Sequence, residues 1–190
     1  MPKREIVFCG DPVLRKKAAQ VTEITGEVVQ LLEDMKQTMI EAPGVGLAAP
    51  QVGAALRAIC VREDVEDDSE VHCILNPRIV QREGHQDGIE ACLSVPTVHG
   101  MVGRALRVFA RGVDLEGNEI EVEGEGLMAR ALQHEIDHLE GVLFVDRADE
   151  DSLGWMVPDA DEECGYRFEP ATLEEVTRRF EQLMRSKSDK

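Results

Sequence analysis

Residues 126–141, GLMARALQHEIDHLEG, constrain the fold more than any other stretch of the chain. They are rich in strong helix formers and stop at Gly141, a residue suited to the position just past a helix end. At about 100° of rotation per residue from His134, His138 lies at roughly 40° and Glu135 at roughly 100°. Met128, Leu132, Ile136 and Leu139 form a neighbouring apolar stripe. Such a helix must bury one face against another layer while the next face presents two imidazoles. Helix residues four apart are about 5–6 Å from each other, so His134 and His138 can reach one ion. Glu135 flanks that ion without pointing at it, as suits a general base acting on water held there.

The middle of the chain supplies the layer. From Leu56 to about Val122, short apolar runs (RAICV, CILNPRIV, RALRVFARGVDL, EIEVEGE) are separated by turn residues, with Glu116-Gly117-Asn118 as one turn between strands. An amphipathic helix is predicted over 25–41, capped by Thr25, with Val28, Leu31, Leu32, Met35 and Met39 apolar and Pro43-Gly44 after it. GVGLAAPQVG at 44–53 reads as a glycine-rich loop at a ligand. A last helix is predicted over about 172–186, with Leu173, Val176, Phe180 and Leu183 on one stripe. The elements alternate too irregularly for βαβ units. The expected class is therefore α+β: one compact domain over 1–190, antiparallel sheets around a central HExxH helix, with an N-terminal and a C-terminal helix. No Lys or Arg stands between Arg147 and Arg167, and the acidic stretch at about 149–170, with the lone Trp155, is expected to be a solvated excursion, packing over the cleft being the other reading.

Composition removes several function classes. A net charge of −17 opposes association with a phosphate backbone, so no DNA partner is expected. No apolar run approaches the ~18 residues of a membrane helix. The apolar stretch Ile6–Cys9 is too short for a secretory signal, which gives a cytoplasmic expectation. Five cysteines with no CxxC pair are expected as thiols or ligands in that compartment. Cys9, Cys60 and Cys73 lie in or beside apolar runs and read as small buried residues in strands; Cys92 breaks that pattern. His72, His85 and His99 have no partner spacing.

Two histidines do not complete a catalytic site, which ordinarily has three protein ligands and an open position. An HExxHxxGxxH pattern would place the third histidine where Phe144 stands, which excludes that class. A downstream glutamate, Glu162 or Glu163, is the alternative offered by thermolysin-like enzymes.

GVGLAAPQVG at 44–53, EACLSVP at 90–96 and QHEIDHLEG at 133–141, in this order, resemble the three motifs of peptide deformylases. The resemblance implies Cys92 as third ligand beside His134 and His138, and Glu135 as the catalytic acid and base. It implies an oxyanion hole formed by Gln51 and the backbone N–H of Leu93. The substrates would be N-formylmethionyl nascent peptides, with formate released. The peptide would pair as an added strand with Gly44-Val45-Gly46 and Gly88-Ile89-Glu90, and its methionine would enter a pocket of Val45, Leu127, Ala131 and His134. The implied ion is Fe²⁺, replaceable by Zn²⁺, Ni²⁺ or Co²⁺, since a Cys/His/His set accepts several divalent metals.

The chain departs from the family pattern at Ala91, where a glycine usually precedes the ligand cysteine. If that backbone needed positive φ, the added Cβ would cost about 1 kcal/mol. Relatives use a basic C-terminal helix for transient ribosome contact, but here Arg178, Arg179 and Arg185 are mixed with Glu174, Glu175 and Glu181. Two other readings are a diverged member that binds metal with little activity, and a metallopeptidase with a third ligand other than Cys92.

Overall fold

In the computed structural model, which describes residues 4–63, 70–160 and 165–188, Thr25 starts α1 (Gly26–Glu41) by accepting a hydrogen bond from the Val28 N–H at 3.4 Å. The helix buries Val28, Leu31, Leu32, Met35 and Met39, the stripe read from the sequence. The glycine-rich segment is more regular than a loop: Gly46–Ala48 is strand β1, and Ala49–Val52 a 3-10 turn. Leu47, Ala48 and Ala49 are fully buried, which takes this segment out of solvent.

Strands β2 (Ala58–Arg62), β3 (Val71–Glu83), β6 (Arg107–Val113) and β7 (Glu119–Glu125) join β1 in an antiparallel sheet of order β1-β2-β3-β6-β7. β2 explains why RAICV is apolar at every position. Ile59 and Val61 face one core, and Ala58 and Cys60 face the other, where α1 covers the sheet. Opposite Cys60 stands Cys73 of β3, the two sulfurs 3.3 Å apart as free thiols. Cys9, by contrast, is buried in a turn rather than a strand.

The central helix α2 (Gly126–Leu139) packs against the first sheet. Met128, Leu132, Ile136 and Leu139 meet Ile59, Val61, Ile74, Val108 and Ala110. Leu132 and Leu139 are completely buried, a burial worth about 1.5–3 kcal/mol each. Gly141 ends the helix at φ +75°, where a Cβ would also meet the Arg15 backbone at 2.8 Å. The second sheet, on the other side of α2, begins with the hairpin of β4 (Gln86–Cys92) and β5 (Val95–Arg104). Its core contains Val95, Val98, Val102, Leu14 and Phe144, together with Val176 and Phe180 of α3 (Leu173–Ser188). The layers run α1, first sheet, α2, second sheet, an α+β architecture with the HExxH helix central.

The acidic stretch is not a solvated loop throughout. β8 (Gly154–Pro158) pairs with β5 and with β9 (Tyr166–Pro170), giving the order β4-β5-β8-β9. Acidic residues dominate the count between 149 and 163, yet GWMVP and YRFEP are each long enough for a strand, with Trp155 turned into the core. Charge at the ends of this segment concealed the strands between.

Candidate active site

β4 ends at Cys92, and α2 runs past that end with His134, Glu135 and His138 on its near side. One ligand atom from each of Cys92, His134 and His138 lies within 4.8 Å of the others. Cys92 Sγ is 3.3 Å from His138 Nε2, and Gln51 Nε2 donates to the same sulfur at 3.4 Å. Gln51 is 1% exposed, and its Oε1 accepts from the Ala48 N–H at 2.8 Å, which fixes the amide's orientation. The 3-10 turn thus carries one expected oxyanion donor to the Cys92 sulfur, and Leu93, the other, follows Cys92 directly.

The nitrogen that His134 offers is set by a partner that helix spacing does not reveal. Glu90 Oε2 faces His134 Nδ1 at 2.9 Å, leaving Nε2 for the site. Glu90, expected only as backbone for a substrate strand, is 4% exposed and its carboxylate points inward. Arg104 donates to it from Nε at 2.9 Å and Nη2 at 3.0 Å, and Arg130 from Nη1 at 2.8 Å. Arg104 also pairs with Asp137, which Arg147 grips in turn. Burial alone would raise the Glu90 carboxyl, but hydrogen bonds from His134 and Arg104 outweigh it and hold the group well below the usual carboxylate range. A signal was present in the sequence: residues 90 and 92 share one face of a strand, and a carboxylate there stands beside the ligands.

Glu135 is 4% exposed and its Oε2 has no hydrogen-bond partner among the described residues. Burial pushes its carboxyl up to about 7, close to where an acid and base at neutral pH operates best. Gly46 owes its identity to this side chain, because a Cβ there would lie 2.3 Å from Glu135 Oε1. Close approach was expected of Gly46, and the group that approaches is the glutamate. Burial keeps the His138 imidazole neutral, well below its ordinary range, which suits a ligand nitrogen. A soft sulfur, two imidazole nitrogens and an unpartnered carboxylate converging in one buried place fit a divalent transition-metal ion.

The site opens into a cleft of about 450 Å³. Gly44, Val45, Gly46, Gln51, Ile89, Glu90, Leu93, Leu127 and Ala131 line it, together with Cys92, His134 and Glu135. Ile89 is 62% exposed and Leu127 50%, so both present apolar surface to whatever enters. Met156 of β8 also lines the cleft, so part of the acidic stretch packs there rather than standing in solvent. A larger hollow of about 770 Å³ elsewhere is lined by neither histidine nor cysteine, and its Lys17 and Arg57 are both paired with Glu140. Ala91 does not have the feared backbone strain: the positive-φ non-glycine residues among those described are Asn76 and Thr97. Ala91 is ordinary extended strand opposite His99, so a Cβ there is tolerated. Glu162 and Glu163, the alternative ligands, lie outside the described residues.

The Polypeptide deformylase family profile matches residues 3–153. A peptide deformylase of Thermomicrobium roseum is 46% identical over 168 residues, covering 86% of this chain and 96% of the relative. One from Caldanaerobacter subterraneus is 54% identical over 147 residues, covering 77% of this chain and 90% of the relative. Among solved structures, a peptide deformylase from Legionella pneumophila superposes with TM-score 0.77 at 35% identity, covering 100% of this chain and 99% of its own. One from Synechococcus elongatus in complex with actinonin gives 0.74 at 40% identity, covering 78% and 82%. With the matched residues containing every group that converges on the cleft except Met156, the chain belongs to the polypeptide deformylase family.

Proposed function

We propose that this protein removes the formyl group from the N-terminal formyl-methionine of newly made polypeptides, releasing formate, as one catalytic domain over 1–190. The observation that carries the reading is the convergence of Cys92, His134 and His138 beside the buried, unpartnered carboxylate of Glu135. The three would hold one divalent ion, Fe²⁺ in the cell and Zn²⁺, Ni²⁺ or Co²⁺ in its place after exchange. Bound there, it would supply Lewis acidity and a water acidified toward neutral pH.

The chain's own groups do the rest. Glu135, with a carboxyl near 7, takes a proton from the attacking water and returns it to the leaving amine nitrogen. Gln51 Nε2 and the Leu93 N–H meet the oxyanion as the formyl carbon becomes tetrahedral; losing one such donor typically costs about 10²–10³-fold in rate. Glu90 fixes the His134 ring. Val45, Leu127, Ala131 and His134 enclose the methionine side chain, while Gly44–Gly46 and Ile89–Glu90 pair with the substrate backbone. This chemistry belongs in the cytoplasm, with no role for DNA. No described helix is long and apolar enough to cross a bilayer.

Formate release from a formyl-methionyl tripeptide tests the reading. A metallopeptidase would instead cut an internal peptide bond and keep its activity after Cys92→Ser, whereas the deformylase loses metal and activity together.

A further inference from the structure

Cys60 of β2 and Cys73 of β3 are directly opposed, their sulfurs 3.3 Å apart and both thiols free. The backbone on either side fixes the kind of pair they form. The Asn76 N–H donates to the Arg57 carbonyl at 2.8 Å, which makes those two a hydrogen-bonded pair of the β2–β3 ladder. Such pairs alternate with a closer, non-hydrogen-bonded kind, and three steps along the register Cys60 and Cys73 belong to the closer kind. On the other edge of β2, the Arg62 N–H donates to the Val45 carbonyl at 2.9 Å. Two steps from that bond Cys60 faces Leu47, so its own backbone groups point to β1 and away from Cys73. In such a pair the Cα atoms stand about 4.5 Å apart, within the ~4.4–6.8 Å that a disulfide bridges. Side-chain rotation is then enough to close the bridge, and the strands need not move.

The two thiols are not equivalent. Cys60 is completely buried, whereas Cys73 is half-buried, so a small oxidant meets Cys73 first. Accepting a hydrogen bond from Cys60 lowers the Cys73 thiol below its ordinary range, and the Lys36 ammonium adds to the effect against burial. Donating that bond, together with burial, pushes the Cys60 thiol well above its own. A reachable, ionisable thiol beside a buried, protonated one is the arrangement of an attacking cysteine and its resolving partner. The pair also stands apart from the metal site. Cys60 and Cys73 pack in the core under α1, while Ile59 and Val61 face the opposite core, which holds α2.

We propose that Cys60 and Cys73 are a redox-active dithiol that a hydroperoxide converts to an intramolecular disulfide, stapling β2 to β3 and leaving the metal site intact. The Cys73 thiolate attacks the hydroperoxide; its O–O bond breaks, an S–O bond forms to give the sulfenic acid, and the departing alkoxide takes up a proton. The Cys60 sulfur then attacks the Cys73 sulfur. An S–S bond forms, the S–O bond breaks, and the Cys60 proton leaves with the hydroxide as water. Two thiols are oxidised by two electrons, and one hydroperoxide is reduced to an alcohol and water. Disulfides in a reducing compartment are usually transient and redox-sensing, which fits a pair that is free until an oxidant arrives. The staple restrains β2, the strand that pairs with β1 at Gly46↔Val61 and so holds Gly46 against Glu135.

The test treats Zn²⁺-loaded protein, whose ion has no redox chemistry of its own, with a small excess of hydrogen peroxide. Remaining thiols are then alkylated in denaturant and the tryptic peptides mapped without reductant. A disulfide joining peptide 58–62 to peptide 63–78 is expected, absent after dithiothreitol and absent from Cys73→Ser. The bridged protein should keep its zinc and melt about 5 °C higher than the reduced protein, because a disulfide closing a loop of about 15 residues restricts the unfolded chain. Cys73→Ser given the same peroxide should show no such rise. Recovery of both thiols unmodified would overturn the proposal, as would Cys73 carried on to the sulfinic acid with Cys60 still free. A bridge from either thiol to Cys9, Cys92 or a second chain would overturn it too, and so would loss of zinc or an unchanged melting temperature in the bridged protein.

Discussion

Replacing Gly46 with alanine tests whether the position of Glu135, and not only its presence, makes the site work. An added Cβ would lie 2.3 Å from Glu135 Oε1, 2.7 Å from Cγ and 2.8 Å from Cδ. Ordinary contact needs about 3.5 Å, so the glutamate must retreat by about 1 Å. Gly46 cannot yield easily, since its strand is paired to Val61 and flanked by fully buried Leu47. Glu135 has little room to swing, being 4% exposed. A misplacement of about 1 Å costs on the order of 10²-fold in rate, and overpacking adds a destabilisation of about 1–3 kcal/mol. Gly46→Ala should therefore bind its metal normally, lose about 10²-fold in kcat for formate release, and unfold at lower urea. Gly44→Ala is the comparison: its Cβ would come no closer than 3.3 Å to any neighbour, and its loss should be much smaller. Full kcat in Gly46→Ala, with metal bound, would refute the proposed contact.

Three further outcomes are expected. Ala91→Gly should fail to raise activity and should cost about 0.5–1 kcal/mol in chemical denaturation, because position 91 is ordinary strand; a gain in stability would mean the backbone wants a glycine. Arg104→Met should destabilise the protein by about 3 kcal/mol, at the low end for a broken buried pair because Arg130 still holds Glu90. It should also weaken metal binding about 10-fold through His134, and a loss under about 1 kcal/mol in urea denaturation would contradict this. Chelation should lower the melting temperature of a protein saturated at about 100 Kd of metal by roughly 5–10 °C. Cys92→Ser should show little of that difference in a calorimeter, while a shift as large as in the wild type would remove Cys92 from the ligand set.

The parts of the molecule legible in the sequence were those with a local period. The α2 stripe of Met128, Leu132, Ile136 and Leu139 and the α1 cap at Thr25 follow from helical geometry, and both are present. The spacing of His134 and His138 likewise requires a common face. What spacing cannot provide is contact between distant elements. Glu90, His134, Arg104 and Asp137 form one network only because the second sheet lies against α2. The clearance that makes residue 46 a glycine depends on β1 passing Glu135, another non-local fact. At β8 and β9 the acidic residues on either side mask the strand-like runs GWMVP and YRFEP. At Ala91 the extended β4 backbone has no positive φ for a Cβ to strain, which the motif alone does not reveal.

The most direct test is formate release from a formyl-methionyl tripeptide by protein purified without oxygen and reloaded with Fe²⁺, beside Glu135→Gln prepared identically. The account predicts turnover by the wild type and a loss of at least about 10²-fold in the variant at equal metal content. A metal-replete wild type that released no formate, or a Glu135→Gln protein as fast as its parent, would contradict it.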